Sequence, residues 1–168
     1  MSAADKTRVL GVMSAALLMT ACALGSRSYE WVGKPAPYTK FTMLDGSSVA
    51  LDELRGKNVV VIFWATTCGY ARRVMERLNR YLQAHGRDKN LEIIAVSVDK
   101  AEKLDDVRDR IRFDELYSMR HAFSGNDVQD EAYMAFDVGS LPAVFVISPR
   151  GIVLASGGSD HVVYEALR

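Results

Sequence analysis

The sequence predicts one α/β domain: a central mixed β-sheet flanked by helices, with an N-terminal β-hairpin. Three observations carry this. The run Val59-Val60-Val61-Ile62-Phe63-Trp64 is apolar at every position, as in a strand covered by helices on both faces. From Gly69 to about His85 the period becomes helical, with Val74, Leu78, Tyr81 and Leu82 on one face and arginines mostly elsewhere. Later, Ala143 to Ile147, the turn Ser148-Pro149-Arg150-Gly151 and Ile152 to Ala155 form a returning pair, so a parallel core meets an antiparallel edge. A chain of 168 residues has room for one hydrophobic core and not comfortably for two.

The remaining elements follow in order. Ser26 to Tyr38 is a polar lead-in whose Pro35 and Pro37 favour an extended path. Phe41 to Leu44 and Val49 to Leu51 are short strands joined at Asp45-Gly46, a dipeptide that tolerates the positive φ of a tight turn. Gly86 stands where a helix ending at His85 calls for a glycine cap. Leu91 to Val98 is a second buried strand. Ala101 to Phe113 is a helix burying Leu104, Val107 and Ile111, and Asp127 to Phe136 a shorter one through Val128, Ala132 and Phe136. Asp114 to Asn126 is expected to be a loop, and His161 to Arg168 a short terminal helix.

The first 25 residues have another character. Lys6 and Arg8 precede an apolar stretch from Val9 to Leu18, and small residues surround Cys22, which is the layout of a secretory signal. Met19-Thr20-Ala21-Cys22 resembles a lipobox, whose Cys22 would be lipidated. Ala21-Cys22-Ala23 also fits an ordinary cleavage site. An uncleaved anchor is a third option, although the apolar run of about 16 residues is short of the ~20 that span a membrane. The division expected is a signal over 1–25, a linker over 26–38 and the domain over 39–168. The setting expected is a periplasmic or cell-envelope one, with the membrane engaged only through an N-terminal lipid or anchor.

Chemistry is expected at the corner after Trp64. Cys68 lies four residues on, at the start of the amphipathic helix, where unpaired N–H groups and the positive end of the helix dipole favour thiolate over thiol. Arg72 and Arg73 would add to this if they point back toward the sulfur. An inert buried cysteine is the competing reading, since free Cys is among the most buried residue types.

The segment Phe63-Trp64-Ala65-Thr66-Thr67-Cys68-Gly69-Tyr70-Ala71-Arg72 resembles the F-W-A-T-W-C-G-P-C-R stretch of TlpA- and ResA-like proteins of the thioredoxin fold. Gly33 to Pro37 resembles their G-x-P-A-P opening. Leu44-Asp45-Gly46 through Leu51, Leu54, Gly56 and Lys57 follows their hairpin, and Val98-Asp99 closes the next strand as theirs does. Gly139 to Ala143 resembles the G-x-P-T stretch whose proline is cis and faces the cysteines. The resemblance thus implies a thioredoxin-like thiol:disulfide oxidoreductase with Cys68 as nucleophile. It implies a site supported by Trp64, Thr67, Gly69, Tyr70, Ala71 and Arg72. It also implies a cis Pro142, with the Leu141 backbone aligning an extended substrate segment.

The departures carry as much meaning as the match. Ala71 stands where the family has its second cysteine, Thr67 where it has Trp, and Tyr70 where it has Pro. Exchange by a C-x-x-C pair needs one thiolate to attack and a second to release the mixed disulfide, so Cys68 alone would need an external resolving thiol. The partners implied are extended segments of exported proteins, or a small thiol such as glutathione. A silent thioredoxin-fold module that binds partner proteins, or acts as a chaperone, is the alternative.

Other classes fit less well. With 21 basic and 21 acidic residues there is no electrostatic footprint for nucleic acid. His85, His121 and His161 lack metal-ligand spacing, and no cofactor is indicated. Val61 and Ala65 occupy the Pro and Thr positions of the peroxiredoxin P-x-x-x-T-x-x-C pattern. Cys68-Gly69-Tyr70-Ala71 is similar to the C-G-F-S of monothiol glutaredoxins, but the flanking Phe63-Trp64-Ala65 is not.

Overall fold

A computed structural model describes residues 30–168; the segment 1–25 expected to be a signal, and Cys22 within it, lie outside the described residues. Strands β1 (Lys40–Thr42) and β2 (Ser48–Ala50) form the hairpin. Gly46 has φ +84°, and the Asp45 carboxylate accepts from the Ser47 N–H at 2.9 Å and its hydroxyl at 2.6 Å. The turn is therefore built by the Asp-Gly pair that predicts it.

The main sheet contains β3 (Asn58–Trp64), β4 (Leu91–Ser97), β5 (Arg120–Phe123), β6 (Ala143–Ile147) and β7 (Val153–Gly157), in the order β5-β4-β3-β6-β7. Strands β3, β4 and β5 are parallel, β6 runs antiparallel to β3, and β7 antiparallel to β6. Helices α1 (Gly69–His85), α2 (Leu104–Phe113), α3 (Glu131–Ala135) and α4 (His161–Ala166) complete the layers. The all-apolar β3 has its expected cause. Val59, Val61 and Phe63 enter one buried cluster with the hairpin and Phe136, while Val60, Ile62 and Trp64 enter another with α1, α2 and α4, because side chains alternate along a strand. Phe63 meets Tyr133, Phe136 and Phe145 at ring separations of 6.0, 5.6 and 6.0 Å. Arg77 of α1 forks onto Asp160 before α4 at 2.8 and 2.7 Å, tying the two helices together.

Several expectations need correction. Residues 120–123 form β5 rather than loop; an edge strand of four residues carrying Arg120 and His121 has too little apolar patterning to announce itself. The helix expected over 127–136 is a 3-10 turn at Asp127–Gln129 followed by α3. Val128 is exposed, and Asp130 caps α3 by accepting from the Tyr133 N–H at 2.9 Å. The helix expected from Ala101 starts as a 3-10 turn, Ala101–Lys103, and Leu104 is half-buried. Gly86 does not adopt a left-handed cap; its φ and ψ are −56° and −41°. A Cβ there would lie 2.5 Å from the Leu82 carbonyl oxygen, so glycine is required by close approach. The lead-in also packs on the domain. Gly33 N–H donates to Val153 O at 2.8 Å, Val153 N–H to Lys34 O at 2.9 Å, and the Trp31 indole N–H to Phe136 O at 2.9 Å.

His121 links the fold to pH. Burial, its main influence, holds the imidazole below its ordinary range against the opposing bond from Nε2 to Leu116 O at 2.7 Å. Its Nδ1 is buried without a partner. A lowered folded-state value means the unfolded chain binds the extra proton more readily, so the contribution is full above about pH 6.5 and falls as pH drops below it. The urea midpoint is expected to fall between pH 7.5 and 5.5, and to fall less in His121→Gln. Equal losses in both proteins would contradict this assignment.

Candidate active site

The site is the corner between β3 and α1. Cys68 occupies the N-cap of α1 with φ −93° and ψ 93°, and its side chain makes no capping bond. Cys68 as a residue is half-buried. Its N–H closes a turn onto Ala65 O at 2.9 Å. Sγ lies 3.9 Å from Leu141 O, and the Leu141-Pro142 peptide is cis. Cys68 and Leu141, distant in sequence, thus face one another. Leu141 is half-buried and Pro142 buried.

The corner is anchored from below by Asp99, just past the end of β4. Its carboxylate accepts from the Thr66 N–H at 2.9 Å, the Thr66 hydroxyl at 2.7 Å and the Ser97 hydroxyl at 2.8 Å. A buried carboxylate with three donors is a rigid support. Val98 N–H donates to Trp64 O at 2.9 Å, fastening the strand end as well. Asp99 is the residue whose role the sequence reading missed. The available signal was a lone acid closing an apolar strand.

The remaining expected site residues divide. Thr67, Gly69 and Tyr70 are exposed at the mouth, whereas Trp64 and Ala71 are buried beneath it, Ala71 completely. The Trp64 indole N–H has no hydrogen-bond partner. The arginines have partners other than the sulfur. Arg72 pairs with Asp114 at 2.6 Å and Glu76 at 3.1 Å, with its guanidinium 5.6 Å from the Phe113 ring centre. Arg73 lies 5.8 Å from the Tyr70 ring centre. The reason is local: buried Asp114 offers Arg72 a short, poorly screened partner, which a side chain aimed at the sulfur would forgo. An open groove of about 820 Å³ runs beside the corner, between Thr66, Thr67 and Arg72 on one wall and α2 on the other. No helix among the described residues is long and apolar enough to cross a membrane.

Comparison with known proteins agrees with this geometry. Residues 32–156 match the AhpC/TSA family. The chain is 31% identical over 157 residues to the thiol-disulfide oxidoreductase ResA of Geobacillus kaustophilus, covering 88% of this chain and 86% of that protein. It is 27% identical over 164 residues to ResA of Bacillus subtilis, covering 89% and 84%. Among solved structures, the thioredoxin domain of a thiol-disulfide oxidoreductase from Bacteroides vulgatus superposes with a TM-score of 0.70 at 25% identity, over 82% of this chain and 98% of that one. The chain therefore belongs to the AhpC/TSA family and, within it, to the ResA-like thiol-disulfide oxidoreductases of thioredoxin fold.

Proposed function

We propose that this protein is an exported thiol:disulfide oxidoreductase that works through the single thiol Cys68 and depends on an external thiol for release. The observation that carries the reading is the placement of Cys68, half-buried at a helix N-cap, with Sγ 3.9 Å from the carbonyl oxygen of Leu141. A helix start supplies unpaired N–H groups and positive dipole to a thiolate. The backbone at Leu141 offers an edge along which an extended disulfide-bearing segment pairs. The Cys68 thiolate attacks one sulfur of the substrate disulfide, forming a mixed disulfide and expelling the other sulfur as thiolate. Ala71 contributes a buried methyl group where the family resemblance places the second cysteine, so the mixed disulfide has no internal resolving thiol among the described residues. The partners are extended segments of exported proteins and a small thiol such as glutathione. On this reading the N-terminal segment is the export signal, Cys22 is the lipidated residue, and the setting is the periplasm or cell envelope.

The test uses a Cys22→Ser chain, in which Cys68 is the remaining cysteine. Reduction of a disulfide-bearing protein such as insulin is expected only with added glutathione and is expected to vanish in Cys68→Ser. Turnover independent of the small thiol would contradict the monothiol route. Complete inactivity of a chain that still binds unfolded peptide would favour the silent binding module. Mass spectrometry of the mature N-terminus tests cleavage and lipidation, and an unmodified N-terminus at Met1 would rule both out.

A further inference from the structure

The groove beside the corner has a charge pattern that the site chemistry leaves unused. One wall holds Thr67, immediately before Cys68, and Arg72, one helical turn after it; the other presents Lys103, Arg110 and Arg112 from α2 and the turn before it. Asp106 and Asp109 are interleaved with these cations. Its volume of about 820 Å³ falls within the roughly 300–1,000 Å³ of small-ligand clefts. Exposed Phe113 forms an apolar rim.

Arg72 is held by Asp114 and Glu76, but the charges on the α2 side are only loosely committed to one another. Lys103–Asp106 and Arg112–Asp109 are exposed pairs three residues apart, each at 2.8 Å. Such pairs contribute little and exchange readily for a ligand's charges. Arg110 reaches its nearest carboxylate, Asp114, at 3.8 Å, and that carboxylate is already taken by Arg72. With Arg72 held by Asp114 and Glu76, three cations, Lys103, Arg110 and Arg112, face two carboxylates among the described residues lining the groove. A polyanion such as a nucleotide would meet repulsion from Asp106 and Asp109. A zwitterion with two carboxylates and one ammonium group matches both signs.

We propose that this groove binds the resolving thiol, a small peptide carrying two carboxylates and an ammonium group, and presents its sulfur to Cys68. The proposal rests on the monothiol reading above and names the partner which that reading requires. The peptide thiolate attacks the mixed disulfide at the Cys68 sulfur, leaving the peptide bonded to Cys68 and releasing the substrate as thiolate. A second peptide thiolate attacks that bond, forming the peptide disulfide and restoring the Cys68 thiolate. Overall, one substrate disulfide and two peptide thiols give two substrate thiols and one peptide disulfide, a transfer of two electrons.

Two measurements test it on the full chain. In the first, S-methylglutathione, whose capped sulfur cannot exchange, is titrated by NMR or calorimetry. Binding is expected, weakened about two- to fivefold by Arg112→Gln and similarly by Lys103→Gln, and weakened again by salt. No binding, or binding indifferent to both exposed substitutions, overturns the proposal. In the second, a mixed disulfide of Cys68 with thionitrobenzoate is prepared in the Cys22→Ser chain and its colour release followed. At equal thiolate concentration, glutathione is expected to release it faster than neutral 2-mercaptoethanol, and Arg112→Gln is expected to reduce that advantage. Equal rates overturn the groove's part in resolution while leaving the monothiol route intact. Binding of S-methylglutathione by a chain whose Cys68 forms no mixed disulfide supports the groove as a peptide site and refutes the monothiol reading instead.

Discussion

Replacing Ala71 by cysteine is expected to give a protein that closes an internal disulfide with Cys68 and reduces insulin-type substrates without added glutathione, given a reductant for the new pair. Residues three apart at a helix start are neighbours, and a disulfide spans such short separations. The added sulfur supplies the missing second nucleophile: after Cys68 forms a mixed disulfide, the new thiolate attacks Cys68 Sγ and frees the substrate. Ala71 is fully buried, so the larger side chain costs about 1–3 kcal/mol of packing in the reduced protein. The check is a count of free thiols in the oxidised Cys22→Ser, Ala71→Cys chain, expected to fall to zero without dimer on a non-reducing gel. Two persistently free thiols would mean that the corner lacks the geometry described, and the link between this site and dithiol relatives would fail.

The second large effect is expected at Asp99. Asp99→Ala leaves the Thr66 N–H, the Thr66 hydroxyl and the Ser97 hydroxyl without their acceptor at a buried position. Unsatisfied buried donors cost about 1–3 kcal/mol each, partly relieved where a hydroxyl rotates or water enters, so a loss of roughly 3 kcal/mol is expected. Asp99→Asn should cost about 1 kcal/mol, because its amide oxygen still accepts and its NH₂ can donate to the Thr66 hydroxyl once that group rotates. Urea unfolding of the three proteins checks the order. As a positioning residue, Asp99 should also change the alkylation rate of Cys68 in Asp99→Ala under conditions where the variant remains folded, with recovery in Asp99→Asn. A stability loss with an unchanged alkylation rate would leave Asp99 as scaffold alone.

These two residues illustrate what was legible. Ala71 reads as a departure from the local motif that the segment resembles, and that reading needs only ten consecutive residues and their spacing. The apolar run of β3, the helical period of α1 and the Asp45-Gly46 turn were equally plain, since period and turn chemistry are properties of neighbouring residues. Asp99 was visible as a letter but not as a support, because its partner Thr66 lies 33 positions away. β5 was missed for a related reason: Arg120 to Phe123 is a strand because β4 lies beside it, and its own residues carry little strand signal.

By itself the sequence determined the fold class, the strand-to-helix corner and the solitary thiol at its tip, all of which follow from local periodicity, turn residues and a linear motif. The tertiary structure alone decided which groups meet. It brought Leu141 to within 3.9 Å of Cys68, set Asp99 beneath the corner, turned Arg72 onto Asp114 and away from the sulfur, and opened a charged groove against α2. Contacts between residues far apart in the chain depend on how layers pack and on which ion pair has the shorter, less screened path, and neither is written in the order of nearby residues.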